Sequence, residues 1–236
     1  MAASRKNGVQ RRDEILDAAL ACFVSRGVLD IGIEEIRKRA GASPSSMYHY
    51  FAGITDIVVA LVARIAAQQY AALAAAAAGA RSAERAVRAI VEAQLAWTFT
   101  HPREARFMYQ AFAAELAGPD RKRIEAVKLK HRAALDAALA PWLAGTELAS
   151  RSTSELAVLL LGATHQACRL HLAGGDLDAA WMKATLPEVA WRGVAGYLAP
   201  AQPKRRRPAP ERARRRGVGR PEQGQEPAAP KRVQKV

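Results

Sequence analysis

Between Ala40 and Phe51 the chain reads AGASPSSMYHYF, which gathers Ser43, Ser45, Ser46, Tyr48, His49 and Tyr50 within one short stretch. Hydroxyls, a phenol edge and an imidazole donate and accept hydrogen bonds. Nucleophilic chemistry would need more, because a serine reacts only when a base and an orienting group are held beside it, and no such constellation marks this sequence. A phosphate-cradling glycine loop and a motif of paired carboxylates are lacking as well, so no enzyme is expected and no cofactor is indicated. What the stretch can do is bind.

The elements around it decide what it binds. Ile15, Leu16, Ala19, Leu20 and Phe23 fall on one face of a helix predicted from about Arg11 to Arg26, with Gly27 as its stop. A second helix spans Ile33 to Arg39, with Glu34 and Glu35 in its first turn and Arg37, Lys38 and Arg39 in its last, as the helix dipole favours. Gly41 ends it. Ser43 is a good N-cap and Pro44 suits the first position of a third helix, which runs to about Tyr50. Two short helices joined by a glycine turn and braced by a longer one make a helix-turn-helix. Ile36, Ala40, Ala42 and Met47 are small or apolar enough for the helices to cross. Pro44, Ser45, Ser46, Tyr48, His49 and Tyr50 are left outside, able to meet phosphate oxygens and base edges.

This pattern resembles the DNA-binding domain of the TetR family of bacterial repressors. RRDEILDAALACFVSRGV matches the family's first helix, and IRKRAGASPSSMYHYF matches I-A-x-x-A-G-V-S-x-x-x-L-Y-x-H/Y-F almost position for position. The resemblance implies that Pro44 starts a reading helix, that Ser45 and Ser46 approach bases, and that Tyr48, His49 and Tyr50 hold phosphates, with Arg11 or Arg12 adding charge. The chain departs from the family at Gly32, where Thr or Ser is usual, and at Ile54, where Lys is usual. Two phosphate contacts are thereby lost, which leaves backbone N–H groups near Gly53 to Thr55 as substitutes. The head also has only a small positive excess, so modest intrinsic DNA affinity is expected.

The fold class expected is all-α: a helix-turn-helix domain over 1–55, a larger helical domain over 56–199, and a basic tail over 200–236. Breaks at Pro102, Pro119 and Gly174-Gly175 divide the second domain into helices near 55–78, 82–100, 102–117, 120–140, 152–173 and 177–198. The resemblance gives this body two tasks, dimerisation and enclosure of a small effector. Its last two helices would form a four-helix bundle with their copies, with Leu156, Leu160, Ala163, Ala167, Leu170, Trp181 and Val194 as the expected interface. A homodimer places two reading helices about one DNA turn apart, matching a palindromic operator. The ring-rich segment WTFTHPREARFMYQAF contributes Trp97, Phe99, Phe107, Met108, Tyr109 and Phe112 to an expected apolar pocket, joined by His165 and Gln166. The same residues equally suit plain helix packing.

Composition narrows the remaining classes. Of 236 residues half are hydrophobic and a quarter charged, enough for a sizeable core. No apolar run long enough to span a membrane and no secretion signal are read, so a cytoplasmic protein with no membrane partner is expected. Cys22 and Cys168 lie far apart within helical patterns, as core residues would. His165, Cys168 and His171 recur at intervals of three, which spreads the outer two by roughly 120° around a helix and disfavours a shared metal ion. Of the net charge of +14, the segment 200–236 supplies +9. Rich in Pro, Gly, Gln and Arg, it cannot bury enough surface to order itself. Val218-Gly219-Arg220-Pro221 resembles half of an AT-hook, and the clusters 204–207 and 214–216 suit a polybasic arm on DNA. An architectural DNA-coating protein that relies on this arm is therefore an alternative to an operator-specific regulator.

Overall fold

Nine of the fourteen residues from Met1 to Glu14 are good helix formers and no proline interrupts them, so the first helix does not wait for Arg11. In the computed structural model, α1 runs Ala2–Arg26, nine residues longer at its start than the apolar stripe alone indicates. The structure describes residues 2–113 and 118–199, with side chains over 8–111 and 120–199. The basic tail, including its AT-hook-like tetrapeptide, lies outside the described residues.

Gly27 closes α1 at φ +98, a conformation costly for any residue with a Cβ. There follow α2 (Ile33–Arg39) and α3 (Pro44–Tyr50). Gly41, at φ +57, turns the chain between them while Ala42 N–H reaches back to the Arg37 carbonyl at 3.0 Å. The body comprises α4 (Ile54–Ala78), α5 (Ala83–Thr100), α6 (Pro102–Ala113), α7 (Gly118–Leu143), α8 (Thr153–Leu172) and α9 (Ala179–Val194). The final expected helix, 177–198, is shorter than the sequence pattern indicates: after Val194 the chain tightens into a 3-10 turn, Ala195–Leu198. A capping box at Ser152 and Glu155 fixes the start of α8.

Helix α4 corrects one expectation. By length and hydropathy it is apolar enough to cross a membrane. Here its apolar residues Ile57, Val58, Leu61, Val62, Ile65 and Ala66 are buried within the protein, and the helix packs on α7, α5, α1 and α6. An all-round apolar helix is what the centre of a multi-helix body requires.

Two buried clusters organise the interior. One joins the head to the near end of the body: Ile15, Phe23, Ile36, Met47 and Phe51 pack continuously with Ile57, Leu61, Phe107 and Ile124. Phe23 of α1 stacks on Phe107 of α6 at 5.6 Å between ring centres. The other fills the far end with Leu73, Ile90, Leu135, Leu139, Leu160 and Met182. Cys22 and Cys168 are buried free thiols, one in each cluster.

Candidate nucleic-acid interface and cavity

Helix α3 has seven residues, so its stability comes from its cap and its packing. Ser43 Oγ accepts from Ser46 N–H at 3.1 Å and lies 3.1 Å from Ser45 Oγ, and Pro44 occupies the first turn. Met47, fully buried, pins the helix to α1 and α2. That one anchor orients the rest. Pro44, Ser45, Tyr48 and His49 are exposed, and Tyr48 leaves half its surface in solvent, an unusual disposition for a large ring.

The other expected contact residues are placed differently. Ser46 is half-buried, its backbone N–H held by Ser43. Tyr50 turns back towards α1, with its hydroxyl beside Gly8 and its ring edge-on to His49 at 4.9 Å. Arg11 braces the head, donating to Glu14 and to the Gly41 carbonyl, each at 2.7 Å. Arg12 lies over the Phe51 ring at 5.3 Å, a cation–π contact that leaves the residue exposed. At the two departures from the family pattern, Gly32 is the N-cap of α2 and Ile54 is the first residue of α4, behind the N-cap Gly53; neither glycine gives a side-chain cap.

Head and body are joined by polar contacts at the start of α4. Asp56 accepts from Ala52 N–H at 3.0 Å and from Arg123 of α7 at 2.6 Å. The Arg123 guanidinium, helped by Ala52 N–H, holds the Asp56 carboxyl below the usual carboxylate range against the opposing effect of burial. Next to it, Thr55 Oγ1 donates to Asp120 of α7 at 3.3 Å. Sequence reading missed this latch because its partners are more than sixty residues apart.

Within the body lies a cavity of about 330 Å³ between α4, α5, α6, α7 and α8. Leu73, Ile90, Leu135, Leu139, Leu156 and Leu160 supply apolar wall. Of the expected pocket residues, Trp97, Met108, Tyr109 and His165 line it. Phe107 instead stacks on Phe23, Phe99 packs edge-on against His171 at 5.4 Å, and Gln166 is exposed and bonded to Arg169. The Phe112 side chain lies outside the described residues. Polar lining absent from the sequence expectation comes from Tyr70, Gln94, Lys128 and Arg132. Gln94 accepts from Gln69 at 2.8 Å and donates to Thr98 at 3.2 Å, so this buried amide is satisfied on both sides.

Burial governs the titration of this cavity. His165 is pushed down to about 4, by burial first and then by the positive charges of Lys128 and Arg132. Burial drives the Tyr109 phenol far up, with Cys168 adding to it, and also raises Tyr70. Lys128 is lowered, again chiefly by burial. The His165, Cys168, His171 triplet is dispersed: His165 faces Tyr109 at 6.2 Å, Cys168 is in the core, and His171 Nδ1 donates to the Leu177 carbonyl at 2.7 Å.

The expected dimer residues divide into two groups. Leu156, Leu160, Ala167 and Val194 belong to the protomer's own second cluster and are buried within the chain. Ala163, Leu170 and Trp181 are exposed, together with Val158, Leu159, Val189 and Tyr197.

Residues 15–61 match the family described as bacterial regulatory proteins, tetR family. Over these residues the head resembles the DNA-binding domain of that family. The chain is 36% identical over 55 residues to the HTH-type transcriptional regulator BetI of Brucella anthropi and 35% identical over 54 residues to the HTH-type transcriptional regulator SrpR of Pseudomonas putida. Each alignment covers 23% of this chain, and 28% and 25% of the relative, so the match spans about a quarter of the curated proteins' length. Over the larger part of the chain, the fold is that of TetR-family structures. A TetR family transcription regulator from Marinobacter aquaeolei VT8 aligns with a TM-score of 0.62 at 16% identity, covering 80% of this chain and 97% of the other. FadR from Bacillus subtilis, solved in complex with stearoyl-CoA, aligns with 0.62 at 17% identity, covering 76% and 97%.

Proposed function

We propose that this protein is a cytoplasmic TetR-type transcriptional regulator that binds a palindromic operator as a homodimer and leaves it when a small apolar effector enters the body. The observation that carries this reading is the capped α3, with Ser45, Tyr48 and His49 facing solvent on a head of TetR type. Ser45 and Ser46 address base edges, and Tyr48 and His49 fix register on phosphates. Backbone N–H groups at the uncapped start of α4 stand in for the missing lysine at Ile54.

Dimerisation uses what α8 and α9 leave uncovered. Val158, Leu159, Ala163 and Leu170 follow one face of α8, with Trp181 and Val189 exposed on α9. Such a contiguous apolar face favours a second copy. Leu159→Glu is expected to shift the protein to monomer in sedimentation, and an unchanged dimer would remove this face from the reading.

Effector release needs a ligand that prefers one state of the body over the other. Helix α7 connects the two regions: Asp120 and Arg123 latch α4 at the head, while Lys128 and Arg132 reach the cavity from the same helix. A displacement of α7 by the effector releases the latch and swings the head.

The deciding experiment is selection of bound sites from genomic fragments with purified protein, followed by footprinting of the Ser46→Ala, Tyr48→Ala double variant. A palindrome protected by the native protein and lost in the variant is the expected result. Footprints unaltered by the double substitution contradict it. The excess charge in 200–236 favours a second reading, DNA coating through the tail. Excess nonspecific competitor strips a coating protein but leaves an operator-bound dimer in place. Removal of 200–236 is expected to lower the salt dependence of binding while preserving site preference.

A further inference from the structure

Of the polar groups that line the body cavity, the ones left unmet are hydrogen-bond donors. Gln94 accepts from Gln69 and donates to Thr98, so its amide asks for nothing more. Trp97 Nε1–H and the Tyr109 hydroxyl are both removed from solvent, and neither finds a hydrogen-bond partner among the described residues. Cys168, Thr98 and Gln94 lie near the Tyr109 hydroxyl without a well-formed bond to it. Both side chains line the cavity, whereas Gln110, whose buried side-chain carbonyl is also unmet, is not among the lining residues. Leaving such groups unmet is costly, and most native structures avoid it.

Charge in the same wall is balanced. Arg132 is buried and engages Asp136 through Nε at 2.9 Å. Lys128 lines the cavity one turn earlier, and Glu125, which lines it too, acts on the Lys128 ammonium against the larger effect of burial. Arg121, which also bonds Glu125, is exposed and is not a lining residue. His165 is uncharged at pH 7, pushed down to about 4 by burial and then by the nearby cations. Two cationic side chains thus stand against two carboxylates. An ion of either sign entering this space would leave water for a wall with no spare opposite charge, which burial disfavours.

From this arrangement we propose that the cavity takes an uncharged apolar carbonyl compound, of the ketone or ester class, with Trp97 Nε1–H and Tyr109 Oη–H as the donors to its oxygen. The proposal rests on the reading of this cavity as the effector site and names the effector's chemical class. An indole N–H can only donate, so the ligand must present an acceptor. A carbonyl adds lone pairs and no donor. An alcohol adds a hydrogen that needs an acceptor of its own, and a carboxylate adds a charge that the balanced wall does not answer. Leu73, Leu135, Leu139, Leu156 and Leu160 supply the surface for the rest of the molecule. A cavity near 330 Å³ lies at the small end of ligand sites, which suits one compact hydrocarbon body.

The test is equilibrium dialysis of the full chain at pH 7, without DNA, against 2-acetylnaphthalene, 4-tert-butylacetophenone and 2-nonanone, each beside the secondary alcohol, the carboxylate and the hydrocarbon of matching skeleton. At least one ketone is expected to bind about 3- to 10-fold tighter than its alcohol, the scale of one unmet hydrogen bond, and further still above its carboxylate. Tyr109→Phe and Trp97→Phe remove one donor each, so each is expected to weaken that ketone about 3- to 10-fold while the hydrocarbon, which uses only the apolar wall, binds as before. Tyr109→Phe should also leave the urea midpoint unchanged or raise it, because the hydroxyl it deletes has no partner in the fold. The assignment is overturned if no ketone binds, if alcohols or carboxylates match their ketones, if ketone affinity is indifferent to both substitutions, or if Tyr109→Phe clearly lowers the midpoint. Because the readout contains no DNA, a chain that binds ketones this way yet ignores every operator refutes the regulator reading and not this one.

Discussion

Polar side chains on α3 and polar side chains in the body cavity are held by opposite means. On α3 they are consecutive, exposed and positioned by one cap and one buried methionine. In the cavity they come from five helices, are buried or partly buried, and are positioned by the packing of Leu73, Ile90, Leu135 and Leu160 around them. The difference teaches where each region is fragile. An exposed helix tolerates sequence change while its few anchors hold, so substitution at Ser45, Ser46 or Tyr48 is expected to cost little stability. A cavity wall is also core, and every change there alters binding and folding together.

The comparison can be broken first at the junction. Phe107→Ala removes the ring that stacks on Phe23 and is expected to cost about 3–5 kcal/mol in urea unfolding, because the site is fully buried on both sides. A loss below about 1 kcal/mol would mean that head and body do not share the core described. Next comes the cavity. His165 is held near 4, below the ordinary histidine value, so the unfolded chain binds the extra proton first. Stability from this group is complete above about pH 6.5, falls as pH drops, and levels off below about 4, for a total of up to about 3 kcal/mol. His165→Gln should flatten that acid limb, as read from unfolding midpoints between pH 4 and 7.

On the head the expected effects are smaller. Ser43→Ala deletes the cap on Ser46 N–H and is expected to destabilise α3 by about 1 kcal/mol, visible as faster amide exchange at Ser46 and Met47. Arg123→Ala breaks an exposed pair and should change global stability by only about 0.2–1 kcal/mol. Its sharper readout is communication: if α7 couples cavity to head, the variant weakens effector-dependent loss of DNA while ligand affinity is kept. Full coupling in this variant would separate the latch from the switch.

Much of the head could be read before any coordinates. The boundaries of α2 and α3 match the sequence pattern because Gly41, Ser43 and Pro44 act locally, each restricting its own backbone or its immediate neighbours. The exposure of Tyr48 and His49 follows from Met47 being the inward residue of a seven-residue helix. Reading failed where the determining contact is distant. Tyr50 is drawn back to Gly8, and Arg11 is committed to the Gly41 carbonyl; neither pairing leaves a local trace.

In the body, the sequence by itself determined the helical periodicity, the breaks and the supply of aromatic and apolar residues, because propensity and amphipathic spacing are properties of neighbouring positions. It took the packed helices to show that Phe107 serves the head's core while Met108 and Tyr109 face the cavity, that Leu156 and Leu160 are buried in the protomer's second cluster, and that Lys128 and Arg132 line the same cavity as Trp97 and His165. Helices fix which side chains share a face, but which face turns inward depends on the other helices present, and that choice is made by the total area buried across the whole body.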